Sequence, residues 1–216
     1  MSRGAYAEGM TDSLTQRRKA ATRTEIARTA AHLFAERGPG AVTAEEIAAG
    51  SGVSLRTFYR YFRTKEDAVE PMMAAGAERW LTLLAETPAD VPLAEALTSA
   101  AVDSLTPPDP TIAENMTWTR GLLRAADDDA ALRAIWHRLV LDFEHRLVPV
   151  LRTRLGSPDP DDLTVRLWAA AASTASRVAV EAWAAGPTDA TEGPGSPSDL
   201  VVGTMARLTA GLAEPS

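Results

Sequence analysis

Between Ser54 and Lys65 the chain sets out Arg56, Thr57, Tyr59, Arg60, Tyr61 and Lys65, with no carboxylate among them. Side chains of this kind donate hydrogen bonds to base edges and phosphates, and an arginine fork is the one that reads guanine bidentately. Nothing comparable is arranged for catalysis. His137 and His145 are eight residues apart on one expected helix, roughly 12 Å along its axis, too far to share a metal. Asp142 and Glu144 beside them read as solvated helix charges. Ser173, Thr174 and Ser176 have no neighbouring histidine to activate them, and no glycine-rich phosphate loop is present. The absence of cysteine removes thiol catalysis, disulfides, cysteine-zinc sites and iron–sulfur clusters together. No catalytic residue, metal or cofactor is therefore assigned, and an enzyme is not expected.

Charge distribution supports a polyanion partner. The net charge is −7 over 216 residues, yet Arg17, Arg18, Lys19, Arg23, Arg28, Arg37, Arg56, Arg60, Arg63 and Lys65 face only Glu25, Glu36, Glu45 and Glu46 within residues 17–65. The rest of the chain is acidic. Such asymmetry is expected where one part of a protein meets a polyanion, the bland alternative being a solvated charged face. A composition of 45% hydrophobic and 24% charged residues is that of a globular protein. No apolar run approaches the ~18 residues of a membrane span, and Met1 to Thr11 lack the apolar centre of a signal peptide. The expectation is a soluble cytoplasmic protein with no membrane partner.

The donor-rich segment must sit on something rigid. Residues 1–18 read as a flexible arm ending in the basic cluster. From Thr22 the pattern is helical: Ile26, Ala30, Leu33 and Phe34 make one apolar stripe that stops at Gly38-Pro39-Gly40. Thr43 with Glu46 three residues later forms a capping box for a short helix ending at Gly50 and Gly52. Ser54 caps the next helix. Its rotation turns Leu55, Phe58 and Phe62 inward, sets Tyr59 at the edge, and turns Arg56, Thr57, Arg60 and Tyr61 outward. Two short helices joined by a Gly-Val-Ser turn meet the needs of a helix-turn-helix.

These residues carry a resemblance. Thr43-Ala44-Glu45-Glu46-Ile47-Ala48, Ser51-Gly52-Val53-Ser54, Arg56-Thr57-Phe58-Tyr59-Arg60-Tyr61-Phe62 and Lys65-Glu66-Asp67 resemble the N-terminal signature of the tetracycline-repressor (TetR) family. Leu33-Phe34-Ala35-Glu36-Arg37-Gly38 is similar to the family's first helix. The likeness covers about residues 22 to 70, and Gly50-Ser51, where small alanines are usual, departs from it and suggests a looser helix end. By this resemblance Arg56 and Thr57 touch bases, and Tyr59, Tyr61 and Lys65 touch phosphate. Thr43 and Ser54, at helix N-termini, suit phosphate as well. Arg23 and Arg60 complete the DNA-binding set.

Beyond residue 70 the pattern is helical throughout, with no segment of period two, so the fold is expected to be all-α. Helices are expected from Lys65 to about Glu86, from Leu93 to Leu105, and from Pro110, capped by Asp109, to about Ala126. The next runs from the Asp127-Asp128-Asp129 cluster to Leu155, kinked at Pro149, followed by one from Asp162 to Ala185 and, after a mobile loop, one from Asp199 to Leu212. Residues 19–66 are then the DNA-binding domain, and 67–216 an effector-binding and dimerisation domain. All five tryptophans lie in the acidic part. Trp80, Met116, Trp118, Trp136, Phe143 and Trp168, with Arg120 and Arg177 as orienting groups, are candidates to line an apolar effector pocket, although aromatic residues on bundle helices commonly serve as core. The resulting expectation is a ligand-responsive repressor. It binds a palindromic double-stranded operator as a homodimer through its last two long helices, and a small apolar or aromatic effector releases it. Two alternatives stand beside it: a helix-turn-helix protein without small-molecule control, and a small helical enzyme or carrier.

Overall fold

The computed structural model describes residues 4–156 and 163–212, with side chains from residue 15. Nine α-helices and two short 3-10 turns make up its regular structure, and no strand occurs among the described residues. The fold is all-α, as the periodicity predicts. By its internal contacts the chain divides into two compact units, one running to Met72 and one beginning at Met73.

The first unit contains α1 (Gly4–Arg37), α2 (Ala44–Gly50), α3 (Leu55–Tyr61) and the start of α4 (Glu70–Glu86). Helix α1 begins at Gly4, well before Thr22, where the sequence pattern first turns helical. Apolar periodicity reports burial rather than helicity: residues 15–21 are helical and exposed, so no stripe marks them. Ile26, Ala27, Ala30, Ala31 and Phe34 are buried, while Leu33 is only half-buried. At the end of α2, a Cβ placed on Gly50 would lie 2.9 Å from Thr29 Cγ2. The glycine thus permits close approach of α2 to α1, and the helix end is tight rather than loose. The Ser51 hydroxyl closes it by donating to the Ile47 and Ala48 carbonyls at 2.8 and 3.2 Å.

The second unit holds the rest of α4, then α5 (Leu93–Leu105), α6 (Pro110–Ala125), α7 (Ala130–Leu155), α8 (Leu163–Ala185) and α9 (Pro197–Thr209). Asp109 accepts from the Ile112 amide at 3.0 Å with Pro110 in the first turn of α6, and Asp129 accepts from Ala131 and Leu132 at the start of α7. Helix α7 continues through Pro149 and ends on Gly156, whose φ of 62° closes the last turn. Asp162, expected to begin α8, lies outside the described residues. Helix α9 starts two residues earlier than Asp199 because Ser196 accepts from the Asp199 amide and Pro197 pre-sets the first turn.

The core of this unit joins Trp80, Leu84, Leu97, Phe143, Leu147, Leu151, Trp168, Val201 and Met205. Ala169, Ala172, Ala175 and Ala179 are fully buried along α8, and side chains this small let α8 pack closely on α7 and α9. Arginines tie the loops to the helices. Arg154 donates to the carbonyls of Thr87, Pro88 and Val91 after α4, and Arg79 to that of Thr106 after α5. Arg120 and Arg124 close the C-terminus of α8 through Trp183, Ala184 and Gly186, a site where cations suit the helix dipole. Of the segment from Gly186 to Ser198, expected as a mobile loop, Pro197 and Ser198 belong to α9, and the rest is further anchored by the Trp183 indole donating to the Ala190 carbonyl at 2.8 Å.

Candidate nucleic-acid interface

The presentation of α3 begins with its caps. Thr43 accepts from the Glu46 amide at 3.2 Å while Glu46 Oε2 accepts from the Thr43 amide at 2.8 Å, completing the capping box. Arg37 Nη2 holds the other Glu46 oxygen at 2.7 Å. Together the Arg37 guanidinium and the Thr43 amide keep the Glu46 carboxyl below the usual carboxylate range. Arg37 was not singled out from the sequence, because nine residues across a turn is not a helical spacing. Between α2 and α3, Gly52 takes φ 68°, a left-handed conformation that favours glycine.

Ser54 then caps α3. Its Oγ accepts from the Thr57 amide at 3.2 Å and donates to Thr57 Oγ1 at 3.0 Å. The Ser54 proton is thereby used within the cap, which leaves the Thr57 hydroxyl proton to point elsewhere. Phe58 and Phe62 are buried with ring centroids 5.9 Å apart, and they anchor the helix from below. Tyr59, expected at the edge, is 53% exposed and rests edge-on against Phe58. Tyr61, expected outward, is half-buried with the Arg60 guanidinium 5.4 Å above its ring. A shallow concavity is lined by Arg56, Thr57, Tyr59 and Arg60. Four of the nine expected DNA-binding residues thus share one outward face.

The remaining candidates are engaged within the unit. Lys65 Nζ donates to the Pro39 and Val42 carbonyls at 2.7 and 2.8 Å. Thr43 spends its hydroxyl on Glu46. Arg23 lies 5.6 Å over the Phe62 ring and 3.8 Å from Glu70, with its side chain still 47% exposed.

The eight effector-pocket candidates of the second unit separate into groups. Trp80 and Phe143 stack at 4.8 Å and share the core with Trp168. Trp136 Nε1 and Arg177 Nη1 donate to the two oxygens of Glu181, at 2.8 and 2.7 Å. Arg120 is buried under Trp183 and the end of α8, and burial foremost, with Arg124 nearby, pulls its guanidinium below the ordinary arginine range. Met116 and Trp118 are half-buried on α6. The Trp80 indole nitrogen and Asn115 Oδ1 are buried without a hydrogen-bond partner among the described residues. Also among the described residues, no group of three histidine, aspartate or glutamate side chains is placed to hold a metal ion, and no helix is long and apolar enough to cross a membrane.

Comparison with known proteins agrees with the geometry of the first unit. Residues 26–70 match the model of the bacterial regulatory proteins of the tetR family. The HTH-type transcriptional repressor Rv3405c of Mycobacterium tuberculosis is 36% identical over 168 residues, spanning 69% of this chain and 87% of the relative. The HTH-type transcriptional regulator TcmR of Streptomyces glaucescens is 28% identical over 172 residues, spanning 79% of this chain and 76% of the relative. In fold, the chain is similar to a TetR-family regulator from Syntrophomonas wolfei, with a TM-score of 0.59 at 17% identity over 89% of this chain and 95% of that one. It is similar also to Thermus thermophilus FadR, a TetR-family repressor in complex with lauroyl-CoA, with a TM-score of 0.55 at 22% identity over 88% and 95% of the two chains. An outward α3 on a capped helix-turn-helix, an all-helical second unit and a relative matched over most of its length have one conclusion: this chain belongs to the TetR family of bacterial transcriptional regulators, DNA-binding proteins rather than enzymes.

Proposed function

We propose that the chain acts as a homodimeric repressor that inserts one α3 into each of two major grooves of a palindromic operator and is released by a small apolar effector. The observation that carries the DNA reading is the shared outward face of Arg56, Thr57, Tyr59 and Arg60. On it Arg56 and Thr57 read bases, and Tyr59 and Arg60 hold phosphate. A seven-residue helix offers few base contacts, each giving ~1–3 kcal/mol of discrimination, so two copies are needed for a useful specificity ratio. Lys65 and Thr43 act here mainly by building the turn that presents α3.

The dimer is supported by apolar side chains left outside. Leu163, Leu167 and Val178 on α8 and Val202 and Leu208 on α9 are all exposed in the single chain. The three on α8 fall within about 60° of one another around the helix, a stripe suited to a symmetric four-helix contact. Repression is supported by the repressor name of the mycobacterial relative, and response to an effector by the lauroyl-CoA in the FadR structure. The switch requires only that the effector prefer one spacing of the two α3 helices, which must meet grooves ~34–36 Å apart.

A second reading, a DNA-binding dimer without small-molecule control, is favoured by the packing of Trp80, Phe143 and Trp168 into one continuous core. Selecting bound duplexes from a random pool, then titrating a series of apolar ligands against the selected duplex while following tryptophan quenching, tests both. A palindromic selected site and ligands that quench and release DNA together support the first reading. Recovery of no preferred duplex overturns it, and quenching without release supports the second.

A further inference from the structure

The first half of α1 is a long helix with nothing packed on its described side chains. Residues 15–21 are exposed at every position, and burial starts at Ile26. It is continuous α-helix, and Thr22 Oγ1 donates to the Arg18 carbonyl at 2.9 Å. Arg17, Arg18, Lys19 and Arg23 lie on this stretch, and no carboxylate occurs from Ser13 to Thr24. Among the described residues no ion pair engages Arg17, Arg18 or Lys19.

The position of this stretch follows from Arg23. Its guanidinium sits 5.6 Å over Phe62, the residue that closes α3, and 3.8 Å from Glu70. The preceding turns of α1 therefore leave from the C-terminal end of the recognition helix. Arg17 lies six residues before Arg23, about 9 Å farther along the axis. Exposed Arg60 and Arg63 belong to the same end of α3. Arg60, Arg63, Arg23 and residues 17–19 are thus exposed cations at this end of α3 and on the turns of α1 that precede Arg23.

We propose that this extension of α1 is a second DNA-binding element, in which Arg17, Arg18 and Lys19 bind the phosphate backbone of the duplex beside the base pairs met by α3. The occupant is set by charge complementarity: duplex DNA carries one negative charge per ~1.7 Å of axis, and cations on an unpacked helix neutralise it with no competing carboxylate. Binding to the backbone holds register and affinity but reads no bases. The inference rests on the DNA-binding reading of α3 and adds a site outside the helix-turn-helix.

The test uses the full chain and an Arg17→Gln, Arg18→Gln, Lys19→Gln variant, glutamine keeping helix propensity. Both are titrated against a selected duplex and a random duplex of equal length over a range of salt, with hydroxyl-radical footprints on the selected one and circular dichroism to check folding. The variant should weaken binding to both duplexes at least tenfold at low salt. Its salt slope should be shallower by about 0.9 for each phosphate that is no longer neutralised, and backbone protection outside the half-sites should disappear while the preference for the selected site stays. An unchanged salt slope and footprint in a folded variant would overturn the proposal and return these residues to solvated charges. If wild-type protein shows no preference between the duplexes, the operator reading fails, and the effect of the variant on the random duplex still decides the role of the cluster.

Discussion

Lys65 Nζ stands 2.8 Å from the carbonyl oxygen of Val42, so the ammonium that follows the recognition helix fastens the turn that precedes the helix before it. With its bond to Pro39 the same group holds two carbonyls 23 and 26 residues away in sequence.

Replacing Lys65 by methionine keeps the stem and removes both bonds. Hydrogen bonds to charged groups contribute about 1.5–3 kcal/mol, so the variant should lose stability in that range by denaturant melting. If stability is unaltered and only DNA affinity falls, Lys65 is a phosphate ligand instead of a fastener.

Arg56 has the opposite character, exposed on the outward face of α3. Arg56→Ala should leave the melting curve within about 0.5 kcal/mol of wild type. It should reduce the preference for selected over random duplex by about 1–3 kcal/mol per half-site. Equal losses on both duplexes would remove it from base reading.

Along α8 the two faces make different predictions. Leu167 and Val178 are exposed, 47% and 37%, whereas Ala172 and Ala179 are fully buried in their own chain. A combined Leu167→Glu, Val178→Glu variant should weaken self-association about a hundredfold, near 2.7 kcal/mol, and remain folded. Ala172→Glu should instead unfold the unit by burying an unpaired charge. Sedimentation beside circular dichroism separates these outcomes, and an unaffected dimer in the double variant would move the interface elsewhere.

Glu78 on α4 is gripped by both guanidinium nitrogens of Arg146 on α7, one at 2.7 Å from Oε2. The Arg146 hydrogen bonds lower the Glu78 pKa. A carboxyl depressed on folding contributes stability above its unfolded value and loses it as pH falls through the folded one. Because the pair is about half exposed, its contribution is about 0.2–1 kcal/mol. Glu78→Gln should therefore lower the melting temperature slightly at neutral pH, and the difference from wild type should vanish on acidification below the carboxylate range. A difference that persists in acid would assign the effect to packing.

The helix-turn-helix was legible because its signals are local. Thr43 and Ser54 cap amides three residues away, Gly52 supplies a left-handed turn, and Phe58 and Phe62 are one helical turn apart. Interactions of that reach leave a pattern in sequence, and so do the starts of α6 and α7 at Asp109 and Asp129. The same pattern rested on burial, and for that reason it missed the exposed turns of α1 at residues 15–21. Long-range partners left no such mark. That Lys65 would reach the carbonyls of Pro39 and Val42, and Arg120 those of Trp183 and Gly186, depended on residues distant in the chain. The tryptophans illustrate the same limit: Trp80 entered a core with Phe143 and Trp168, and Trp136 found Glu181, because helices separated by tens of residues packed at those faces. Local chain stiffness and capping wrote the DNA-binding head into consecutive residues, whereas packing between distant helices chose which of its polar groups stayed free to meet another molecule.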